Sequence, residues 1–414
     1  MPANPKTVLE NLRELQTLTA DASGAQRVAW SPVWLKAREW FTKKLAGLPV
    51  EHHRDAAGNV WVTLKGKSEQ ALILGSHLDS VPNGGWLDGS LGVMTSLEVL
   101  RGMSEDYDGL PPVTVRLVDW ADEEGARFGR SLFGSSAFAR TQTIAADRGR
   151  IDRDGVKLEE ALQQCGINVD QIGEAAAEQQ NAAAYLELHI EQGPVLEAMH
   201  LPLAVVLGTK GVERHAVTFH GQEAHSGSTP MAVRRDALAA AAKLALEIRS
   251  IAGKHKDAVC TIGSLKTFPG IVTAVVGRCE ATLDQRDLNS DVLATMFRDA
   301  REASERFAKE ERCSVEWSRI WNIEPVPFHT HLVDLCDEAI RETAGSSHKM
   351  PSGPLHDAAE VSRAGIPTVM MFVQSVGGIS HNKIEDTQPA HIELAVTAFD
   401  RLAAKTMQWI QTGL

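Results

Sequence analysis

Residues 71–93 read ALILGSHLDSVPNGGWLDGSLGV. An apolar run, 71–74, gives way to His77 and Asp79, and a glycine-rich loop holding Pro82, Asn83 and Trp86 then leads to Asp88. A helix is expected to begin near Ser90, and a second apolar stretch, VTVRLVDW, occupies 113–120. Two apolar strands separated by a helix are the signature of a largely parallel sheet covered on both faces. The ALIL strand therefore reads as buried, yet it ends in an imidazole and two carboxylates. Polar groups in such a place must be solvated, paired or bound to a cation.

Outward from this unit the α/β pattern continues. PVWLKAREWFTKKLAGL (32–48) has helical spacing with a proline at its start, and VEHHRDAAGNVWVTLKG (50–66) reads as a hairpin turning at Gly58-Asn59. A Gln/Ala-rich helical region is expected over 158–184, followed by a strand in YLELHIEQG (185–193). The character changes near residue 208. VERHAVTFHG alternates, RRDALAAAAKLALEIRSIA is a strong helix former, two strand-like segments follow, and DVLATMFRDAREASERFAKEE is a second helix. This strand–helix–strand–strand–helix–strand order predicts an α+β unit with one open sheet. From about residue 327 the α/β pattern returns. The expected organisation is a discontinuous first domain, 1–208 and 327–414, with a second domain inserted at 209–326.

At 414 residues the chain is long for one core. A net charge of −12 argues against a nucleic-acid or anionic-membrane surface. The five cysteines, Cys165, Cys260, Cys279, Cys313 and Cys336, form no CxxC motif and read as reduced thiols. The opening MPANPKTVLENLRELQTL lacks the basic region and continuous apolar core of a signal peptide, so a cytoplasmic location is expected. No stretch reaches the roughly 18 apolar residues of a membrane span.

Ligands collect where strands end in open α/β sheets. Four such places offer imidazole or carboxylate: His77/Asp79/Asp88, Glu123-Glu124, His189 and His381. None is a thiolate, so zinc, manganese, cobalt and nickel are all plausible cations. His77 and Asp79 share a face of an extended chain, which lets Asp79 hydrogen-bond the far nitrogen of His77. A carboxylate such as Asp88 can bridge two cations. Each piece alone has a plainer reading: a solvated histidine, a surface acid pair, a turn at Asp88-Gly89.

Taken together, GSHLDSVPNGGWLDGSLGV, DWADEEGARFG, LELHIEQGPVLE, GQEAHSGSTPM and GGISHNKIED resemble the M20 metallopeptidase clan along nearly the whole chain. The branch they match is the hydantoinase/carbamoylase family, which includes N-carbamoyl-L-amino-acid hydrolases, β-ureidopropionases and allantoate amidohydrolases. HIEQGPVLE marks this branch. The resemblance implies a di-metal, aminopeptidase-like α/β catalytic domain with a mixed, mostly parallel sheet. It also implies that the inserted domain is a ferredoxin-like α+β lid and dimerisation domain, giving a homodimer. Asp88 would bridge two divalent ions, zinc or else manganese, cobalt or nickel. Glu124 and His381 would complete one ion, and His77 and His189 the other. Glu123 would be the general base. His225 would reach the neighbouring subunit's site and stabilise an oxyanion. Gln192 would contact the ureido group, Arg286 would clamp the substrate carboxylate, and Gly377-Gly378 would let backbone approach it. His356 and Asp357, in SGPLHDAAE, match a recurrent HDA signature and would shape the site alongside Asp79.

The implied reaction is hydrolysis of the carbamoyl C–N bond of an N-carbamoyl-L-amino acid, with allantoate amidohydrolase as the nearest alternative. A dipeptidase of the wider clan fits less well because His189 stands where peptidases carry a carboxylate. A metal-binding scaffold without turnover also fits less well, since every expected metal-site residue is present. Neither GxSxG nor HExxH occurs, which removes the serine-hydrolase and single-zinc protease routes. Two departures bear on the substrate. Thr273 and Val276-Gly277 stand where an asparagine and a PG pair are common, and Trp86 stands beside Asp88 where a small or charged residue is usual.

Overall fold

A computed structural model describes residues 2–141 and 147–413. The chain divides into two compact units, Met1–Leu207 with Phe328–Leu414, and Gly208–Pro327.

The first unit is built on one mixed sheet. Four central strands, Thr368–Val373, Ala182–Ile190, Ala71–His77 and Thr114–Trp120, lie side by side and parallel. Antiparallel strands flank them: Leu203–Thr209 on one side, and Val60–Leu64 then Glu51–Arg54 on the other. Every residue of Ala71–His77, Thr114–Trp120 and Thr368–Val373 is buried, as expected for strands covered on both faces. The covering helices include Ser90–Asp106 and Pro389–Thr412, and Pro5–Thr19, capped by the Asn4 side chain on the Lys6 N–H, packs on both of them.

The hairpin expected at Gly58-Asn59 is present, with Asp55 Oδ1 accepting the N–H groups of Ala57 and Asn59. The helical region expected over 158–184 is broken. Helix Leu158–Gln164 stops where Gly166 takes a φ of 74°, and a 3-10 segment, Val169–Gln179, follows. The strand then starts at Ala182, ahead of Tyr185. A glycine in the left-handed region is a standard helix stop, and alanine content alone did not reveal it.

The second unit orders its strands Val259–Phe268, Arg278–Asp287, Gly211–His220, Ser314–Ile323, all antiparallel. Chain order β-α-β-β-α-β, with helices Ala237–Ala252 and Ser290–Glu310 between strands, makes it a ferredoxin-like fold. Arg278–Asp287 alternates buried and half-buried positions, so one face packs on the helices through Cys279, Ala281 and Leu283. Asp236 caps the first helix by accepting from Leu238 and Ala239. Among the described residues no helix is long and apolar enough to cross a membrane.

Candidate metal centre

The carboxyl ends of the parallel strands carry the chemistry of the first unit. His77 closes one strand and His189 nearly closes its neighbour. Past Trp120 the chain turns through Asp122, whose φ is 57° and whose carboxylate accepts from Trp30 Nε1 at 2.7 Å and from the Gly125 N–H at 3.1 Å. That turn aims two successive side chains at different targets. Glu123 Oε2 lies 3.8 Å from His77 Nε2, while Glu124 Oε2 lies 3.3 Å from His381 Nε2.

Asp88 sits between the two groups. Its Oδ1 is 3.2 Å from His189 Nε2 and 3.9 Å from His77 Nε2, and its Oδ2 is 3.3 Å from His381 Nε2. Two potential ligand sets result, His77/Asp88/His189 and Asp88/Glu124/His381, each with its ligand atoms within 4.8 Å of one another. They have Asp88 in common.

The histidines are held in one tautomer by backbone. Nδ1 of His77 lies 3.1 Å from the Asp79 carbonyl oxygen, and Nδ1 of His189 lies 3.0 Å from the Ile190 carbonyl oxygen. A carbonyl only accepts, so each Nδ1 carries a proton, and Nε2 is the ring atom each histidine presents to the cluster. Asp79 thus serves His77 through its main chain, its nearer carboxylate oxygen being 3.6 Å away. The carboxylate instead accepts the N–H groups of Glu123 and Glu124, both at 3.2 Å, and so shapes the turn that presents them.

Burial, with Asp88 as the next contributor, pushes Glu124 up to about 8. Burial also raises Glu123 well above the usual carboxylate range, against the pull of His77. Asp88 goes the other way: burial works to raise it, but the imidazoles of His189 and His381 hold it well below its ordinary value. Crowded, desolvated carboxylates of this kind call for a compensating cation. The donors suit one. His77 Nε2, His189 Nε2 and Glu124 Oε1 are buried without a hydrogen bond, and the set is all imidazole and carboxylate.

Glycine makes the packing possible. Gly89 has a φ of 63°, and a Cβ there would lie 2.4 Å from Cε1 of His77. Gly89→Ala should therefore displace His77 and strain the backbone, weakening divalent-metal binding by roughly 10–100-fold. Calorimetric titration of stripped protein with Mn²⁺ reads this directly.

The other expected site residues fall in both units. In the first, Gln192 (φ 57°) donates from Nε2 to Asp88 Oδ2 at 3.0 Å. His356 packs on His189 with ring centroids 4.4 Å apart, its Nε2 buried and unbonded. Asp357 is fully buried, and burial followed by Glu187 raises its carboxyl well above the usual range. Gly377 and Gly378 form a tight turn with φ of 64° each, and a Cβ on Gly378 would lie 2.7 Å from the Pro194 nitrogen.

In the second unit, Arg286 Nε donates to Asp284 Oδ1 at 2.8 Å. His225 is exposed, and its Nδ1 accepts the N–H groups of Gly227 and Ser228 at 3.1 and 3.2 Å. Its proton therefore sits on Nε2, which is left as an outward donor. His225 pairs in a short ribbon with Ala274, and Thr273 contributes its carbonyl oxygen to Ser226 N–H at 2.9 Å. Trp86 is buried in the core of the first unit, with the Arg13 guanidinium 3.5 Å over its ring.

Three participants escaped sequence reading. Arg27 is fully buried and donates to the Leu78 carbonyl at 2.8 Å and to Ser90 Oγ at 3.0 Å, so it braces both ends of the loop carrying Asp79 and Asp88. Ser380 and Glu385 flank His381. Both lie within GGISHNKIED, so the motif contained the signal. Arg27 had none beyond its place in an apolar run.

The model of the peptidase family M20/M25/M40 matches residues 73–405. An N-carbamoyl-L-amino acid amidohydrolase of Geobacillus stearothermophilus is 34% identical over 374 residues, 88% of this chain and 89% of that one. An allantoate amidohydrolase of Escherichia coli is 31% identical over 386 residues, 92% of this chain and 93% of that one. Among solved structures, a hydantoinase/carbamoylase family amidase from Burkholderia multivorans superposes with a TM-score of 0.87 at 31% identity, covering 98% of both chains.

Proposed function

The chain belongs to the peptidase family M20/M25/M40, and from that premise we propose that it is a metal-dependent amidohydrolase that cleaves the carbamoyl C–N bond of N-carbamoyl-L-amino acids. The observation that carries this reading is Asp88, common to a fully buried ligand set and a second set that opens toward solvent at His381, with Glu123 beside His77. His77, Asp88 and His189 would hold one divalent cation, and Asp88, Glu124 and His381 a second, zinc or else manganese, cobalt or nickel. Such a pair, when bound, acidifies water toward a pKa of about 7 and polarises a carbonyl oxygen.

The protein's own groups do the rest. Glu123 takes a proton from the attacking water, which adds to the carbamoyl carbon. It then delivers that proton to the α-nitrogen as the C–N bond breaks. The amino acid leaves, and carbamic acid breaks down to carbon dioxide and ammonia. The place of Glu123 beside His77 Nε2, at 3.8 Å, puts its carboxylate at the edge of the ligand sets, where this shuttle needs it. Gln192, bonded to Asp88, would present its unbonded Oε1 to the ureido N–H groups. Arg286, held by Asp284 through Nε and Nη2, would contribute its guanidinium charge to binding the substrate carboxylate. His225, with Nε2–H directed outward, would donate to the oxyanion in a partner subunit, the inserted unit pairing two copies. Removing one oxyanion donor typically costs about 10²–10³ in turnover, so His225→Ala should fall by that factor with metal content unchanged. Steady-state kinetics beside metal analysis measures both.

Allantoate is the second reading, since the allantoate amidohydrolase of Escherichia coli is nearly as similar as the carbamoyl-amino-acid enzyme. Ammonia release from a panel of N-carbamoyl-L-amino acids, β-ureidopropionate and allantoate, with each candidate metal restored to stripped protein, separates the two. Release from none of them overturns the proposal.

A further inference from the structure

Glu385 ties together two loops that carry ligands. Its Oε1 accepts the backbone N–H groups of Leu87 and Asp88, each at 3.1 Å. Its Oε2 accepts the hydroxyl of Ser380, the residue before His381, at 2.9 Å. The side chain is only 2% exposed, and it fits because residue 85 is glycine: a Cβ on Gly85 would lie 2.1 Å from Oε1.

The hydrogen count gives this contact a direction. Gln192 Nε2 bears two hydrogens and faces Asp88 Oδ2 at 3.0 Å and Ser380 Oγ at 3.1 Å. Ser380 bears one hydrogen and has two acceptors in reach, Glu385 Oε2 at 2.9 Å and Asp88 Oδ2 at 3.2 Å. With Gln192 serving Asp88, the shorter bond takes the Ser380 hydrogen to Glu385. Glu385 thereby accepts from three protein donors, two on Oε1 and one on Oε2. Both of its oxygens already have protein donors, which distinguishes it from Glu124, whose Oε1 is buried and unbonded.

We propose that Glu385 is a positioning residue that fixes the Asp88 loop and the His381 loop in one register, so that Asp88 can serve both ligand sets at once. The proposal rests on the metal reading given above. Its prediction is a loss of metal affinity that follows the hydrogen bonds of Glu385 and not its charge.

The test uses the full chain, stripped of metal and titrated with Mn²⁺ by calorimetry, with the melting temperature of the stripped protein as a control. Glu385→Ala should weaken Mn²⁺ binding about 10–100-fold, the usual cost of losing an outer-shell partner. Glu385→Gln keeps an oxygen for the Leu87 and Asp88 N–H groups and should recover most of that affinity. Gly85→Ala, which pushes on Glu385 from the opposite loop, should reproduce the loss. Unchanged affinity in Glu385→Ala, or a Gln variant as weak as the Ala variant, overturns the proposal. Should Glu385→Ala fail to fold, undiminished affinity in both Gly85→Ala and Ser380→Ala overturns it equally. A wild-type chain that binds no Mn²⁺ overturns the metal reading and this inference with it, whereas tight wild-type binding matched by Glu385→Ala overturns the inference alone.

Discussion

Glu123→Gln should lower turnover by roughly 10²–10⁴-fold, the span that a positioned general acid–base commonly supplies, while divalent-metal binding stays close to wild type. The amide is nearly isosteric and keeps the main-chain bond from Glu123 N–H to Asp79, so the turn and the neighbouring Glu124 retain their places. What the variant lacks is a group able to accept a proton from water and deliver it to the leaving nitrogen. Single-turnover assays of metal-loaded protein, with metal content measured in the same samples, separate chemistry from binding. Retained turnover would assign the proton transfer to another group. Lost turnover together with lost metal would place Glu123 among the ligands.

Asp88→Asn should have the larger effect on metal. Asp88 is the common member of both ligand sets, with one oxygen directed to each side. An asparagine keeps one acceptor oxygen and replaces the other with an amide N–H₂, which repels a cation on that side. The loss of charge also removes the carboxylate that His189 and His381 hold ionised. Binding of both cations should weaken together and turnover should disappear. By contrast, His381→Ala and His189→Ala should each strike chiefly their own side. Metal stoichiometry by calorimetry and elemental analysis decides this. Two full-affinity ions in Asp88→Asn would remove Asp88 from its bridging place.

The candidate site residues were legible in the sequence because they stand at strand ends, where pattern and chemistry coincide. His77 and His189 follow segments that read as strands, and those strands are neighbours in the parallel core. The pair Glu123-Glu124 was the harder reading. Adjacent residues on a strand point to opposite faces, and a turn was needed to give them separate targets. Asp122 at a φ of 57° provides that turn, and the Asp79 carboxylate binds it from below. The expected bond from the Asp79 carboxylate to His77 followed the strand periodicity correctly but missed the competing donors on 123 and 124. Trp86 was read as a departure beside the bridging position. Alternation along the loop could not show that its ring faces the first helix and the Arg13 guanidinium.

By itself, the amino-acid order pointed to the apolar strands of the parallel core, to a change of pattern near residues 208 and 327, and to the imidazoles and carboxylates that stand at strand ends. Those are local properties: apolar runs, periodicity and turn residues act over a few neighbours. Only the tertiary structure decided that residues as distant in the chain as 27, 88 and 385 meet around one loop. It also decided which carboxylate oxygens are buried without a hydrogen bond and which already have N–H and O–H donors. Hydrogen-bond partners and desolvation are set by what the folded chain brings within about 3 Å, and no reading along the chain contains that distance.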